Sequence, residues 1–102
     1  MKHTPSKKTE PVNSKEYYEN GTVLYDGQSR DGKRHGPGSL YHQNGTLMYS
    51  GNFKSGNING KKVRTYHDTM YLEYEGDILE GKRQNYASLF HSNGKLEFRG
   101  YF

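Results

Sequence analysis

Apolar and polar side chains alternate one by one over four stretches of this 102-residue chain. In each stretch an aromatic residue is followed two positions later by a glycine, and both belong to the more apolar set. A period of two is typical of β-strands with one buried face. We therefore expect one set to point inwards: Val23, Tyr25, Gly27 and Ser29; Leu47, Tyr49, Gly51 and Phe53; Leu72, Tyr74, Gly76 and Ile78; Leu96, Phe98, Gly100 and Phe102. The polar face is expected to hold Asp26, Gln28, Ser50, Asn52, Glu73, Glu75, Glu97 and Arg99.

The four stretches are copies of one repeat, marked by an aromatic residue, any residue and a glycine at intervals of 24, 25 and 24 residues. A fixed period of this kind predicts an array whose units bury their apolar faces against their neighbours. Glycine inside a strand often marks the close approach of another group, so we expect a neighbouring repeat's aromatic ring to pack over each marker glycine. The repeat-defining residues are Tyr25 and Gly27, Tyr49 and Gly51, Tyr74 and Gly76, and Phe98 and Gly100.

Turn residues separate the strands at two places in each repeat. Asn-Gly is a strong hairpin signal, because both residues tolerate positive φ, and it occurs at Asn20-Gly21, Asn44-Gly45 and Asn93-Gly94. The second turn is expected at Asp31-Gly32, Ser55-Gly56 and Glu80-Gly81, followed by a shorter strand at 36–42, 62–67 and 86–91. The pattern predicts an all-β fold, a single-layer antiparallel meander of successive β-hairpins with about seven strands. Its units are expected at residues 17–40, 41–65, 66–89 and, in part, 90–102.

Aromatic residues must supply most of the core, because the chain has ten tyrosines and four phenylalanines but few aliphatic residues. We expect the tyrosine hydroxyls at the surface. The chain has no cysteine, which excludes disulfides and thiolate metal sites. No apolar run approaches the roughly 20 residues that span a bilayer, and no secretory signal is recognisable. We expect an intracellular protein, either cytoplasmic and cytoskeletal or peripheral to a membrane.

Residues 1–16 differ from the repeats, since they contain lysines and two prolines and lack apolar periodicity. We expect them to form a flexible basic tail that carries about half of the net charge of +4. Such a tail is either a solvated leader or an arm that docks on an acidic surface.

The spacing of the repeat residues resembles the MORN repeat (membrane occupation and recognition nexus). The best match is Tyr25-Asp26-Gly27 followed by Gly32-Lys33-Arg34-His35-Gly36-Pro37-Gly38. The Tyr-x-x-Asn-Gly opening is similar to the tyrosine-rich variant of the family, and the resemblance covers residues 17–102. The chain departs from the family pattern at Ser29, Asn57-Ile58-Asn59, Met70 and Asn85, so we expect the turns of the third repeat to be the least regular.

The resemblance implies a non-catalytic scaffold subunit that binds other proteins in a cytoskeletal, ciliary or membrane-associated assembly. It also implies an alternative, a peripheral module that binds anionic phospholipids. Basic residues recur just past the second turn of each repeat and would form a positive stripe along one edge of the sheet. An anionic membrane would attract such a stripe by about 1 kcal/mol per residue, whereas the plainer interpretation is solubility and protein contact. The candidate lipid contacts are Lys33, Arg34, Lys61, Lys62, Lys82 and Arg83.

Three histidines, His42, His67 and His91, hold the same place in successive repeats. Equivalent positions two strands apart lie roughly 10 Å from one another, too far to share one zinc ion, so we expect a ladder of strand-end histidines and no metal site. The glycine-rich segment 32–38 lacks the following helix that a phosphate-binding loop needs. We expect no catalytic residue, no cofactor, no small-molecule substrate and no nucleic acid.

The last strand, residues 95–102, is expected to be an exposed edge that breaks off in mid-repeat without a polar cap. Unpaired backbone groups and apolar side chains along such an edge would accept a further strand. We expect a protein partner, either another copy or a different subunit, to bind there through Leu96, Phe98, Tyr101 and Phe102.

Overall fold

Nine β-strands form one open antiparallel sheet in the computed structural model, which describes residues 10–102. The strands follow one another across the sheet in chain order, except that the two-residue β5 pairs with β4 beside β6. The sheet measures 59 × 33 × 14 Å, and its smallest dimension corresponds to the thickness of a single layer. The strands are β1 Val12–Tyr17, β2 Val23–Arg30, β3 Lys33–Tyr41, β4 Leu47–Lys54, β5 Asn57–Ile58, β6 Gly60–Tyr66, β7 Leu72–Leu79, β8 Lys82–Phe90 and β9 Leu96–Tyr101.

The predicted single-layer meander of hairpins is confirmed, and the seven expected strands correspond to β2, β3, β4, β6, β7, β8 and β9. The described residues contain no helix, and hence none long and apolar enough to cross a membrane. The sheet begins earlier than expected, because residues 12–16, assigned to the flexible tail, form β1 and pair with β2. Residues 1–9 of the predicted tail lie outside the described residues.

The Asn-Gly turns lack the positive φ at both central residues that was expected of them, and the second turns have it instead. Both central residues have positive φ at the second turns, with 52° at Asp31 and 78° at Gly32, as a two-residue type I′ turn requires. At the Asn-Gly turns only the glycine is left-handed, with 89° at Gly45. The Asn44 side chain instead accepts a hydrogen bond from the Thr46 N–H at 3.1 Å. Asn20 and Asn93 accept the same bond from Thr22 and Lys95.

The third repeat keeps its turns although it has lost two glycines. Met70 and Asn85 adopt φ of 76° and 67°, close to the 89° of Gly45 and the 82° of Gly36. The Asp77 carboxylate braces the irregular backbone, accepting hydrogen bonds from the Asn85 amide at 2.8 Å and the Lys62 N–H at 2.9 Å. These hydrogen bonds, Asn85 first, hold the pKa of Asp77 below its usual value.

The marker tyrosines Tyr25, Tyr49 and Tyr74 form the centre of the core and are 0–1% exposed. Their hydroxyls are buried and not at the surface as expected, because each donates to the carbonyl three residues further on. The acceptors are Gln28, Asn52 and Asp77, at 2.5, 2.8 and 2.6 Å. Burial raises the pKa of all three tyrosines.

The ring over each marker glycine belongs to the tyrosine two residues earlier, which corrects the expectation of a neighbouring repeat's ring. A Cβ on Gly51 would lie 2.6 Å from the Tyr49 hydroxyl oxygen. A Cβ on Gly76 would lie 2.9 Å from the Tyr74 hydroxyl and would also collide with Ala87. The ring of each marker tyrosine therefore packs directly against the backbone of the glycine two residues further along the same strand.

A phenylalanine ring packed between two marker rings, here called a wedge, joins the first repeat to the second and the third repeat to the fourth. Phe53, 3% exposed, meets the rings of Tyr25 and Tyr49 edge-on, with centroids 5.2 and 5.3 Å away. Phe102 makes the same two contacts with Tyr74 and Phe98, at 5.5 and 5.3 Å. Edge-to-face pairs of this kind add stability beyond the burial of their area.

At the start of β2 and β4 the inward-pointing side chains are displaced by one residue from the expected positions. Leu24 and Met48 pack against the core, whereas Val23 and Leu47, expected inside, line outward depressions beside Asp26 and Ser50 respectively. Glu73, expected on the polar face, accepts a hydrogen bond from the buried Thr65 at 3.0 Å. The cause is a register shift near the loop end of the hairpins, such as the one between Leu40 and Tyr41.

Candidate interaction edge

Strand β9 forms one outer edge of the sheet and pairs only with β8 among the described residues. Phe98 holds the marker position in this strand and is 44% exposed, in contrast to the 0–1% of the three marker tyrosines. The ring lacks cover on the side away from β8. The other expected edge residues, Leu96, Tyr101 and Phe102, are 49%, 78% and 43% exposed.

The structure brings the four expected edge residues onto one strand and its end, and it gives them neighbours. Leu96 lies opposite Phe90, and Tyr101 lies opposite Tyr86 with its ring centroid 5.1 Å away. Phe102 packs on Tyr74 and Phe98, and its N–H donates to the Asn85 carbonyl at 3.0 Å. These apolar side chains are held in place by the sheet while a large part of each remains open to solvent.

Two of the three strand-end histidines, His42 and His67, each link their repeat to the next. The Nε2 of His42 lies 2.6 Å from the Tyr66 carbonyl, and the Nε2 of His67 lies 2.7 Å from the Phe90 carbonyl. Tyr18 holds the equivalent place in the first repeat and donates to the Tyr41 carbonyl at 2.7 Å. His91 makes no ladder hydrogen bond within residues 10–102, and the Glu97 carboxylate lies 3.4 Å from its Nδ1.

A second ladder runs through the loops and was not foreseen from the sequence. The Asn44 amide donates to the Asp68 carbonyl at 2.9 Å, and the Thr69 hydroxyl donates to the Ser92 carbonyl at 2.6 Å. The Asn20 amide makes a longer bond to the Gln43 carbonyl. The signal is the recurrence of these donors with the period of the repeat, but an Asn-Gly pair indicates a turn whether or not its side chain reaches the next repeat.

The six basic residues expected in one stripe are divided between different surroundings. Arg34 makes a bidentate pair with Glu16 and lies 5.2 Å from the centre of the Tyr25 ring. Arg83 lies 4.9 Å from the centre of the Tyr74 ring. The two arginines flank a shallow groove on the tyrosine face, with Leu40, Phe53, Ile58 and Ile78 in its walls.

The four lysines of the expected stripe lie apart from this groove. Lys33 and Lys82 are the first residues of β3 and β8, next to the two-residue turns, and both are exposed. Lys61 and Lys62 are exposed in the irregular part of β6, close to Asp77. No group of three or more His, Cys, Asp or Glu side chains within the described residues could hold a metal ion.

A one-layer sheet of tandem hairpins, joined by ladders that recur with the repeat, defines a β-hairpin repeat protein. The family model of the MORN repeat matches residues 25–47 and 49–68, and that of the MORN repeat variant matches residues 12–31. Together the matches cover more than half of the chain, and the chain belongs to the MORN repeat family. No curated protein and no solved structure gave a significant match. The match that begins at residue 12 agrees with the start of β1.

Proposed function

We propose that this protein is a non-catalytic scaffold subunit that binds other proteins through the outer edge of β9. MORN repeats mediate protein or membrane-lipid contacts, and the family is generally non-catalytic. The observation that carries the proposal is the 44% exposure of Phe98, at a position that is buried in the other three repeats. A strand laid beside β9 would cover this ring and pair the outer backbone groups of the strand.

The chemistry of the edge favours a protein over a lipid headgroup. Leu96, Phe98 and Phe102 expose apolar surface that a β-strand can bury, and Tyr101 adds an amphipathic ring of the kind enriched at interfaces. The assembly that we propose is cytoskeletal, ciliary or membrane-associated and lies inside the cell, as the resemblance to the family implies.

The alternative is a peripheral module that binds anionic phospholipids. Its support is the set of exposed lysines at Lys33, Lys61, Lys62 and Lys82, whereas Arg34 already makes two hydrogen bonds to a carboxylate. Lysines that are spread along a sheet give weaker attraction than a cluster, because salt screens charges beyond about 8 Å. Binding to phosphatidylserine vesicles at low salt that Lys61→Glu with Lys62→Glu removes would favour this alternative.

The test is co-purification of tagged protein from its native source. The edge variant carries Leu96→Lys and Tyr101→Lys, because lysine on an edge strand opposes strand addition. The matched control is Met70→Lys, at a residue that is 71% exposed in a loop. We expect proteins that bind the wild type and the control to be lost from the edge variant. The same set of bound proteins for all three would overturn the proposal.

A further inference from the structure

The two outer strands of the sheet are complementary halves of one hairpin. β1 ends at Tyr17 and is followed by Tyr18, just as β3 ends at Tyr41 and is followed by His42. β1 therefore corresponds to β3, β6 and β8, each of which lies next after a marker strand in the order of the sheet. β9 carries the Phe98 marker and corresponds to the marker strands β2, β4 and β7. Each outer strand is of the type that pairs with the other.

The directions of the strands allow the two halves to meet. Strands alternate in direction along the path from β1 to β9, which contains eight strands when β5 is left aside. β1 and β9 consequently run in opposite directions. The β1 of a second copy, placed beside β9 by continuing the meander, would be antiparallel to it.

The repeat also gives the register of this pairing. Leu40 pairs with the marker Tyr25 on one side and with the marker Tyr49 on the other. Glu16 is the equivalent residue of β1 and pairs with Tyr25. In the second copy Glu16 would therefore lie opposite Phe98. The contact repeats the pairing of β2 with β3, so Arg99 would lie opposite Lys15 of the second copy and Gly100 opposite Ser14. The register shift between Gly27 and Ser29 in that pairing would place Glu10 of the second copy opposite Phe102.

The two outer edges also carry unused members of the two hydrogen-bond ladders, with donors beside β9 and acceptors beside β1. His91 and Asn93 hold the places of His42 and Asn44, whose acceptors are the carbonyls of Tyr66 and Asp68. The equivalent carbonyls on the other edge are those of Tyr17 and Glu19. Within residues 10–102 neither of these carbonyls accepts a ladder hydrogen bond, and neither His91 nor Asn93 donates one.

Resting on the proposed function of the β9 edge, we infer that its occupant is β1 of a second copy of this chain, joined head to tail. The contact continues the interface between repeats that already exists inside the chain. It lays β1, in which Val12 and Tyr17 are 54% and 58% exposed, beside the ring of Phe98, which is 44% exposed in the single chain. Because each copy would still present one free edge of each type, the contact extends into a chain of copies.

The closing experiment mixes two variants of the purified full chain. The first, Leu96→Lys with Tyr101→Lys, has a blocked β9 and a free β1. The second, Val12→Lys with Tyr17→Lys, has a blocked β1 and a free β9. By sedimentation velocity we expect the wild type to self-associate, each variant alone to be a monomer, and the mixture to form a one-to-one dimer. Circular dichroism of each variant confirms that the sheet is retained.

Each other outcome overturns the inference. A dimer of the second variant alone would show β9 paired with β9, and a monomeric wild type would show that the occupant is a different protein. In the latter case the co-purification test with the β9 variant still decides the proposed function, so the two failures are distinguishable.

One residue pair tests the register. In the inferred pairing Arg99 lies opposite Lys15 of the second copy, and like charges facing each other across strands are unfavourable. Arg99→Glu should therefore tighten self-association by roughly two- to fivefold. In a Lys15→Ala background the same change should give no gain. An equal gain in both backgrounds would contradict this register.

Discussion

Arg34 and Glu16 join two strands that do not pair with each other. The guanidinium in β3 donates to both carboxylate oxygens of Glu16 in β1, at 2.7 and 2.9 Å, and crosses over the ring of Tyr25 in the strand between them. Hydrogen bonding to Arg34 holds the pKa of Glu16 below 4.5. This contact fixes β1 to the array although most of its side chains are polar.

The pair gives a pH dependence of stability with a defined sign. Because the pKa of Glu16 is lower in the folded state, its contribution is complete above about pH 4.5, its value when unfolded, and is lost as the pH falls through the folded pKa. Glu16→Gln should destabilise the protein by about 1 kcal/mol at pH 7, and this difference should vanish in acid. Urea unfolding of both proteins across this range measures it. Glu80→Gln, at a 66% exposed carboxylate, is the control, and an unchanged difference at low pH would contradict the assignment.

The buried tyrosine hydroxyls should contribute to stability. Tyr49→Phe removes the donor to the Asn52 carbonyl and leaves that acceptor without its bond, at a cost of about 1 kcal/mol. Tyr101→Phe, at a 78% exposed ring, should cost nothing measurable. Thermal unfolding of the two variants makes the comparison. Equal midpoints would show that the hydroxyl of Tyr49 adds no stability.

A methyl group added to a marker glycine, beneath the tyrosine ring, should be poorly tolerated. Gly76→Ala places a Cβ against both Ala87 and the Tyr74 hydroxyl, so the ring or the β8 backbone must move. We expect a loss of roughly 1–3 kcal/mol in urea unfolding, as for other overpacked cores. Ser50→Ala, on the outward face of the equivalent marker, serves as the control. A fully stable Gly76→Ala protein would mean that the tyrosine does not lie over its own glycine.

The lost glycine of the third repeat offers a stabilising change. Met70 has φ of 76°, a conformation in which a side chain is strained and glycine is not. Met70→Gly should therefore raise the free energy of unfolding by about 1 kcal/mol. Gln43→Gly, in a loop position without positive φ, should lower it. Destabilisation by both substitutions would exclude strain at Met70.

The histidine ladder contains its own control. His67→Ala removes the hydrogen bond to the Phe90 carbonyl and should cost about 1 kcal/mol. His91→Ala alters the same position of the next repeat, where no ladder carbonyl lies within residues 10–102. In dilute protein this second change should leave the unfolding midpoint unaltered. Equal losses for the two variants would mean that the ladder bond is not the source of the effect.

Periodicity was sufficient to predict the meander, because the marker and turn residues recur in register over most of the chain. It missed β1, since the residues of β1 that pair with Tyr25 and Gly27 are Glu16 and Ser14, and no apolar alternation is visible there. The ion pair with Arg34 replaces the missing apolar contact at Glu16, and only the folded structure brings these residues together.

The sequence is sufficient to predict which residues lie on β9, but not how far their side chains are exposed. The sequence shows that Phe98 holds a marker position, whereas its partial exposure depends on which strands lie beside it. The direction of a tyrosine ring along its strand is equally invisible in a one-letter pattern. That direction decides that the marker glycine supports its own ring, and it also explains the buried hydroxyls.

The wedge of Phe53 between Tyr25 and Tyr49 sets the units in which the array can be divided. A cut at a sequence boundary between repeats separates Phe53 from one of its two rings and opens two half-filled packing sites. The natural modules are therefore the spans centred on a wedge, one around Phe53 and one around Phe102. An engineer who wishes to lengthen or shorten the array should make the junctions between wedges, where no pair of aromatic rings packs across the cut within residues 10–102.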